Sequence, residues 1–326
     1  MLVLVTLCTN RKKRLAGPLL QTRNLPLGSQ EQAFAEWQHR VLSCMDRQPA
    51  RETYCGRGFS EALATARATL QPLWIISAGL GLISADEAIP PYDLTLSSAS
   101  LNSIQTRILS SFCPARWWRQ LNQLHQPVRS LSELVQVHPN ATVVITLSSA
   151  YAELVTADLA NLPPLVRNRV RLVGLVSDQG LPPALQPLWM GYDSRFDGPD
   201  SPNSGTRADF PQRVARHFIE QIAVRDPIAP PEQHRIWVAD ALMGMRPAVV
   251  PRRQSLDDQA ILALIMRRWN SASGSAARML RVLRDEEGVA CEQGRLARLF
   301  KQVKQYRETA NSRESGTLAL ELGNVS

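Results

Sequence analysis

Cys8 closes an apolar run, MLVLVTLC, and stands just ahead of a basic cluster formed by Lys12, Lys13 and Arg14. A thiol attacks as its thiolate, and cationic neighbours favour that form. Cys55 repeats the arrangement beside Arg57. A third group of chemistry-bearing residues lies in ISAGLGLISADEAIPPYDLTL, residues 75–95, where Asp86, Glu87 and Asp93 supply carboxylates and Pro90 and Pro91 stiffen their loop. A carboxylate held on a rigid loop can guide a water as a general base. Each group also has a plainer reading that the residues leave open. A cysteine at a strand end can be a small core filler, Asp86 and Glu87 can cap a turn, and Asp93 can accept backbone hydrogen bonds after the proline pair.

The elements around these residues follow from apolar patterning. MLVLVTLC, PLWIIS, ATVVITLSS and RVRLVGLVS are β-branched or leucine-rich runs of strand length. SQEQAFAEWQHRVLSCMDR has apolar residues at helical spacing behind a serine able to cap, and SEALATARATL, AYAELVTADLANL and RVARHFIEQIAV read as further helices. LNSIQTRILSSFCPARWWRQLNQLHQ reads as two helices separated near Pro114. Strands alternating with helices predict an α/β fold, a mixed sheet with flanking helices, whose sites gather where loops leave the strands' C-terminal ends. Residues 177–211 are rich in Pro, Gly, Ser and Asp and predict a long loop or lid.

The boundaries read from composition are an α/β domain over 1–230, a linker over 231–254, a helical domain over 255–310 and a tail over 311–326. The helical domain holds three short amphipathic runs, which suit a small helix-turn-helix-like bundle. Its arginines and lysines either contact phosphate or decorate a wet helix face.

The chain of 326 residues carries 37 Lys and Arg against 29 Asp and Glu, a formal charge of +8 that makes polyanions plausible partners. Its five cysteines are widely spaced, with no CxxC pair, and the five histidines form no HxH or HExxH arrangement, so no metal site is expected. Neither GxxxxGK[ST] nor GxGxxG occurs, and no cofactor is expected. The first residues place an apolar run before the positive charges, the reverse of a secretory signal, and that run is far shorter than a membrane span. The expectation is a cytoplasmic protein with reduced thiols and no membrane anchor.

Residues Ser77, Ala78, Gly79, Leu80, Gly81, Asp86, Pro91 and Tyr92 resemble the YaaA family of bacterial peroxide-stress proteins, in which a buried strand enters a small-residue turn, an acidic loop and a Pro-Tyr pair. In the same order, RWWRQLNQLH is similar to the family's tryptophan-bearing helix, TVVITLSSAYAELV to its strand and Ser-x-x-Tyr turn, and TRADFPQRVARHFIEQ to its late basic helix. The likeness spans roughly residues 1–225. It implies a mixed α/β fold around a positively charged cleft, and binding to DNA. The chain departs from the pattern in thinning the late basic run to Arg207, Arg213 and Arg216, and in carrying Cys8 where many relatives lack a thiol. Within that superfamily the extended C-terminus resembles members encoded with bacterial systems that place 7-deazaguanine bases in DNA. These are associated with converting the 7-cyano-7-deazaguanine base in DNA to its 7-amido form.

The resemblance implies nitrile hydration, with DNA as partner and other proteins of a DNA-modification cluster as further ones. Candidate nucleophiles are Cys8, then Cys55; direct attack by water guided by Asp93 or Glu87 is equally open. Tyr92, Trp117 and Trp118 could stack on an extruded base, with Ser77 and Gly79 forming the pocket wall. Lys12, Lys13, Arg14, Arg207, Arg213 and Arg216 would form a phosphate-gripping rim. The rival readings are a non-catalytic DNA-binding or DNA-protecting protein, and a base-excising glycosylase or lyase.

Overall fold

Leu2–Leu7 (β1) is buried at every position, as its uninterrupted apolar and β-branched sequence requires, and pairs in parallel with a strand on each side. The computed structural model describes residues 1–98, 100–124, 128, 130–249 and 252–322, with side chains as far as residue 309. The chain divides into two compact units, Met1–Ala248 and Val249–Ser326.

In the first unit, chain order after β1 runs through α1 (Gln30–Ser43), β2 (Gln48–Pro49), α2 (Ala50–Thr53), α3 (Arg57–Ala68), β3 (Leu73–Ser77), β4 (Gly81–Ser84) and β5 (Ala88–Ile89). It continues with α4 (Pro114–Leu121), α5 (Leu131–Val137), β6 (Thr142–Thr146), α6 (Ser149–Ala160), α7 (Pro164–Arg167), β7 (Val170–Val173), α8 (Phe210–His217) and α9 (Pro231–Ala241). The main sheet has the order β4-β3-β1-β6-β7, parallel except for the hairpin strand β4. It is the expected mixed α/β sheet with flanking helices. Helix α3 packs with α8 near β1, β6 and β7, while α4 packs with α1, α6 and β4.

Local rules explain most of these elements. Ser29 caps α1 in a reciprocal box, accepting from Gln32 N at 3.3 Å while its own N–H donates to Gln32 Oε1 at 2.9 Å. Pro114 opens α4 instead of separating two helices, because the first helical position needs no N–H partner. The preceding stretch forms a single 3-10 turn, Ile104–Arg107. The expected lid at 177–211 stays irregular, but it buries Leu185, Met190, Tyr192 and Phe196 and is anchored to the sheet edge by Met190 N on Leu172 O at 3.0 Å.

The linker expected over 231–254 begins instead as α9. Pro231 starts that helix, and His234 and Val238 bury its inner face. His234 meets Arg171, which is buried and has no ion-pair partner among the described residues: Arg171 Nε donates to His234 Nδ1 at 2.7 Å and its Nη groups donate to the carbonyls of Asn168, Val170 and Ala229. Burial lowers the Arg171 pKa to about 10.

The second unit contains β8 (Gln254–Ser255), α10 (Asp258–Arg267), α11 (Ala276–Arg281), β9 (Val289–Ala290) and α12 (Gln293–Leu322). Ile261, Ile265, Met279, Leu283, Leu299 and Val303 form its core, and Trp269 stacks on Phe300 at 4.8 Å. The three expected helices are present. The last continues to Leu322 across most of the expected tail, and residues 323–326 lie outside the described residues. Acidic neighbours or a carbonyl engage Arg284, Arg295, Arg298 and Lys304, while Arg278, Arg281 and Lys301 are exposed. Among the described residues no helix is long and apolar enough to cross a membrane.

Two buried histidines give the fold a defined acid sensitivity. His217 Nδ1 lies 2.7 Å from the Tyr192 hydroxyl, and burial, then Arg225, lower its pKa from 6.5 to about 4. Burial likewise lowers His234. The unfolded chain takes up these protons near pH 6.5 and the folded chain refuses them, so stability is full above that pH and falls as pH drops towards 4. The thermal midpoint should drop by roughly 5–10 °C across that window, before carboxylates titrate. His217→Gln, which keeps an acceptor for Tyr192, should flatten much of the slope when followed by calorimetry.

Candidate active site

The order β3-β1-β6 is reached by leaving β1 first to one side and later to the other, so the loops after β1 and β6 diverge and leave a crevice at the strands' C-terminal ends. A cavity of about 880 Å³ opens there, within the range of ligand sites. Four segments wall it: residues 7–11 after β1, 55–58 at the start of α3, 148–151 at the start of α6, and 206–212 at the start of α8, with 95–98 at one side.

Main-chain bonds fix the basic loop. Cys8 N donates to Ile76 O at 3.0 Å, extending the β1–β3 ladder by one residue, and Cys55 N donates to Arg11 O at 3.0 Å. The Thr9 hydroxyl lies 2.8 Å from both the Arg11 and the Cys55 carbonyls. Cys8 and Cys55 are thus half-buried cavity residues on facing segments. Cys8 Sγ lies 3.0 Å from the Tyr151 hydroxyl, which burial, then Cys8, keeps protonated well above the usual tyrosine range. Tyr151 occupies the first turn of α6, the Ser-x-x-Tyr turn of the sequence, so that motif carried the signal for a residue that strand-end reasoning about Cys8 missed.

Lys12 is not a rim cation. Its Nζ sits 4.2 Å from the centre of the Tyr92 ring and 3.4 Å from Thr9 O, and burial lowers its pKa against the opposing influence of Cys8, Asp93 and Cys55. Behind it runs a buried hydroxyl chain: Ser77 Oγ to Tyr92 OH at 2.6 Å, and Tyr92 OH to Tyr54 OH at 2.8 Å. Burial raises both tyrosines, so they stay neutral hydrogen-bonding groups.

The resulting wall differs from the one the sequence suggests. Gly79 does admit a planar ring, but the ring is Tyr92: a Cβ at Gly79 would lie 2.7 Å from Tyr92 Cε2. Tyr92 therefore offers no free face for a base, and Ser77 turns inward to receive Leu80 N at 3.0 Å. Trp117 and Trp118 are core residues, their indoles donating to Ala78 O at 2.8 Å and Asp158 Oδ2 at 3.0 Å. Asp93 lies behind the wall, held by Asn102 Nδ2 at 2.6 Å. Glu87 accepts from Ser84 N at 3.4 Å in its own turn, outside the cavity.

The basic residues separate just as sharply. Arg207 lines the cavity with Arg11 and Arg57. Lys13 is exposed elsewhere, and Arg14 pairs with Asp46 at the surface. Arg213 is buried and clamps Asp209 Oδ1 at 2.8 Å while also pairing with Asp197, so it is a structural brace and not a phosphate contact. Arg216 is engaged by Glu61 at 3.1 Å and Glu220 at 3.0 Å. Burial would raise Asp209, but hydrogen bonds from Arg213 and Thr206 outweigh it, so the carboxylate stays charged.

Three helix starts face the cavity without a side-chain cap, those of α3, α6 and α8. Gly56 precedes α3 at φ +100°, and Ser148 precedes α6. Cys8, Cys55 and Arg207 are the sequence-derived candidates that reach the cavity; Lys12, Tyr92, Ser77 and Asp93 support it from behind. Among the described residues, no group of three or more His, Cys, Asp or Glu is arranged to hold a metal ion.

Residues 41–162 match a family described as a family of unknown function, DUF6884. The matched stretch carries Cys55, the α3 start, the Tyr54–Tyr92–Ser77 chain and Tyr151, while Cys8, Lys12 and residues 206–212 lie outside it. No curated protein and no solved structure matches the chain.

The brace and the surface pair should differ in energy. Arg213→Ala leaves two carboxylates without their buried partner and should cost about 3–5 kcal/mol. Arg216→Ala should cost less than about 1 kcal/mol. Urea unfolding of the two variants checks the contrast, and equal losses would contradict it.

Proposed function

We propose that the chain hydrates the nitrile of 7-cyano-7-deazaguanine bases carried in DNA, giving the 7-amido form, as the resemblance to DpdC and its superfamily implies. The observation that supports this reading is Cys8 in the wall of a base-sized cavity, its sulfur 3.0 Å from the Tyr151 hydroxyl, with a desolvated Lys12 behind the wall.

The Tyr151 hydroxyl, 3.0 Å from Cys8 Sγ, can take the S–H proton as sulfur bonds to the nitrile carbon. A proton reaches the nitrile nitrogen through the Tyr151 hydroxyl, which gives up its own proton as it takes the thiol's, and a thioimidate results. Water adds to the thioimidate carbon, one water proton passes to the nitrogen, the C–S bond breaks and the sulfur recovers the other proton. One water is consumed and the thiol is regenerated, so the cycle needs no redox partner. Tyr151 holds the sulfur and can donate to it as charge develops. A base inside a duplex cannot reach such a hollow, so the nucleotide must be extruded or presented in a single strand. Arg11, Arg57, Arg207 and the uncapped starts of α3 and α6 suit the flanking phosphates. An enzyme of this kind works in the cytoplasm, beside the other proteins of a DNA-modification cluster, where its five thiols stay reduced.

DNA containing the cyano base, incubated with the protein and digested to nucleosides, should gain the mass of one water per modified base. Cys8→Ser should bind the same DNA within about threefold and lose turnover by at least about a thousandfold. An unchanged mass would instead favour the non-catalytic DNA-binding reading, and a missing base the excision reading.

A further inference from the structure

We infer that Asp209 and Gln212 form an acceptor edge that reads two adjacent N–H donors of the substrate base, the N1–H and 2-amino group of a guanine-type ring; this rests on the base-in-cavity reading above. Residues 209–212 read Asp-Phe-Pro-Gln, the spacing of a capping box at the start of α8. The box is not made. Asp209 gives α8 no side-chain cap, because Oδ1 turns to Thr206 N at 2.8 Å and Arg213 Nε at 2.8 Å.

The remaining acceptors, Asp209 Oδ2 and Gln212 Oε1, are buried atoms with no hydrogen bond, although their residues are 2% and 4% exposed and both line the cavity. The two side chains lie together against Gly58, where a Cβ would stand 3.0 Å from Gln212 Oε1 and 3.5 Å from Asp209 Cβ. The absent side chain lets Gln212 and Asp209 pack closely against the start of α3. Arg57 Nε forms an ion pair with Asp209 Oδ2 at 3.1 Å without hydrogen-bond geometry, while its Nη2 donates to Ser204 O at 2.6 Å; the side chain is 61% exposed, so this pair can exchange for an incoming donor.

Side-chain acceptors without donors call for a ligand that brings donors. A planar edge with two neighbouring N–H groups meets both at once. Guanine and its 7-deaza forms present that edge, whereas hypoxanthine lacks the 2-amino donor. A site built to bond a polar group rejects the analogue that lacks it, because its own polar atoms are then left unpaired.

The test compares a thymidine oligonucleotide carrying one guanine with the same strand carrying hypoxanthine, each titrated against the full chain. The guanine strand should bind about tenfold more tightly, one good hydrogen bond's worth of discrimination. Gln212→Leu should lose most of that preference and also melt higher, since it removes an unpaired buried oxygen; a purely structural Gln212 would melt lower. Equal binding of the two strands by the wild type overturns the inference, and so does a preference that survives in both Gln212→Leu and Asp209→Asn. Turnover of the cyano base without guanine preference would sink this edge and leave the hydration standing. Guanine preference without turnover would do the reverse, and the absence of both would remove both.

Discussion

The two parallel ladders of the central strand set everything else. Leu2–Leu7 is hydrogen-bonded to β3 on one side and β6 on the other, so its residues are buried and its last polar step can occur only where the sheet ends. Cys8 is that step. Because the chain reaches β3 and β6 in opposite directions, the neighbouring loops separate above Cys8 instead of covering it. A slip of one residue in either ladder would turn the sulfur to the other face of the sheet and close the chemistry, even with the cavity intact.

Desolvation then decides what each polar group does. Burial disfavours the charge of Lys12 and lowers its pKa against the influence of Cys8, Asp93 and Cys55, while the Tyr92 ring and the Thr9 carbonyl receive the ammonium. Arg213, a few segments away, is more deeply buried but meets two aspartates and becomes rigid framework. The same contrast separates Arg207 from Arg216. Charge of one sign is spread along the sequence; its role depends on whether an acid stands within reach.

This explains how much was legible in the sequence. The strand runs, the mixed sheet with its helices and the strand-end position of Cys8 follow from local patterning and could be read directly. The fates of Trp117, Gly79 and Arg213 could not. Whether an indole stacks on a ligand or donates to Ala78 O is decided by which segment arrives opposite, as is whether the ring beside a glycine belongs to a ligand or to Tyr92. Pro114 and Pro231 misled for a different reason, since proline ends a helix from within but begins one at its first position. The Ser-x-x-Tyr turn was visible as a pattern; that it brings Tyr151 to the Cys8 sulfur was not.

The unmade capping box shows where local consistency gives way. The other buried side-chain atoms without partners among the described residues, Thr6 Oγ1, Gln48 Nε2, Ser103 Oγ and Asn122 Oδ1, are dispersed through the fold. Asp209 and Gln212 differ in sharing one helix start, one cavity wall and a spacing that would ordinarily satisfy each other's backbone. A buried acceptor with no hydrogen bond costs about 1–3 kcal/mol; Gln212 Oε1 has none, Asp209 Oδ2 has only the Arg57 ion pair, and Asp209 is kept from turning back to cap α8 by the Arg213 brace and Thr206 N. The fold therefore holds donor-hungry oxygens beneath a mouth lined by Arg11, Arg57 and Arg207. A simple anion would satisfy the mouth and repel the wall, and a simple cation would do the opposite. A nucleotide satisfies both, its phosphates lying on the arginines and its base edge on the oxygens.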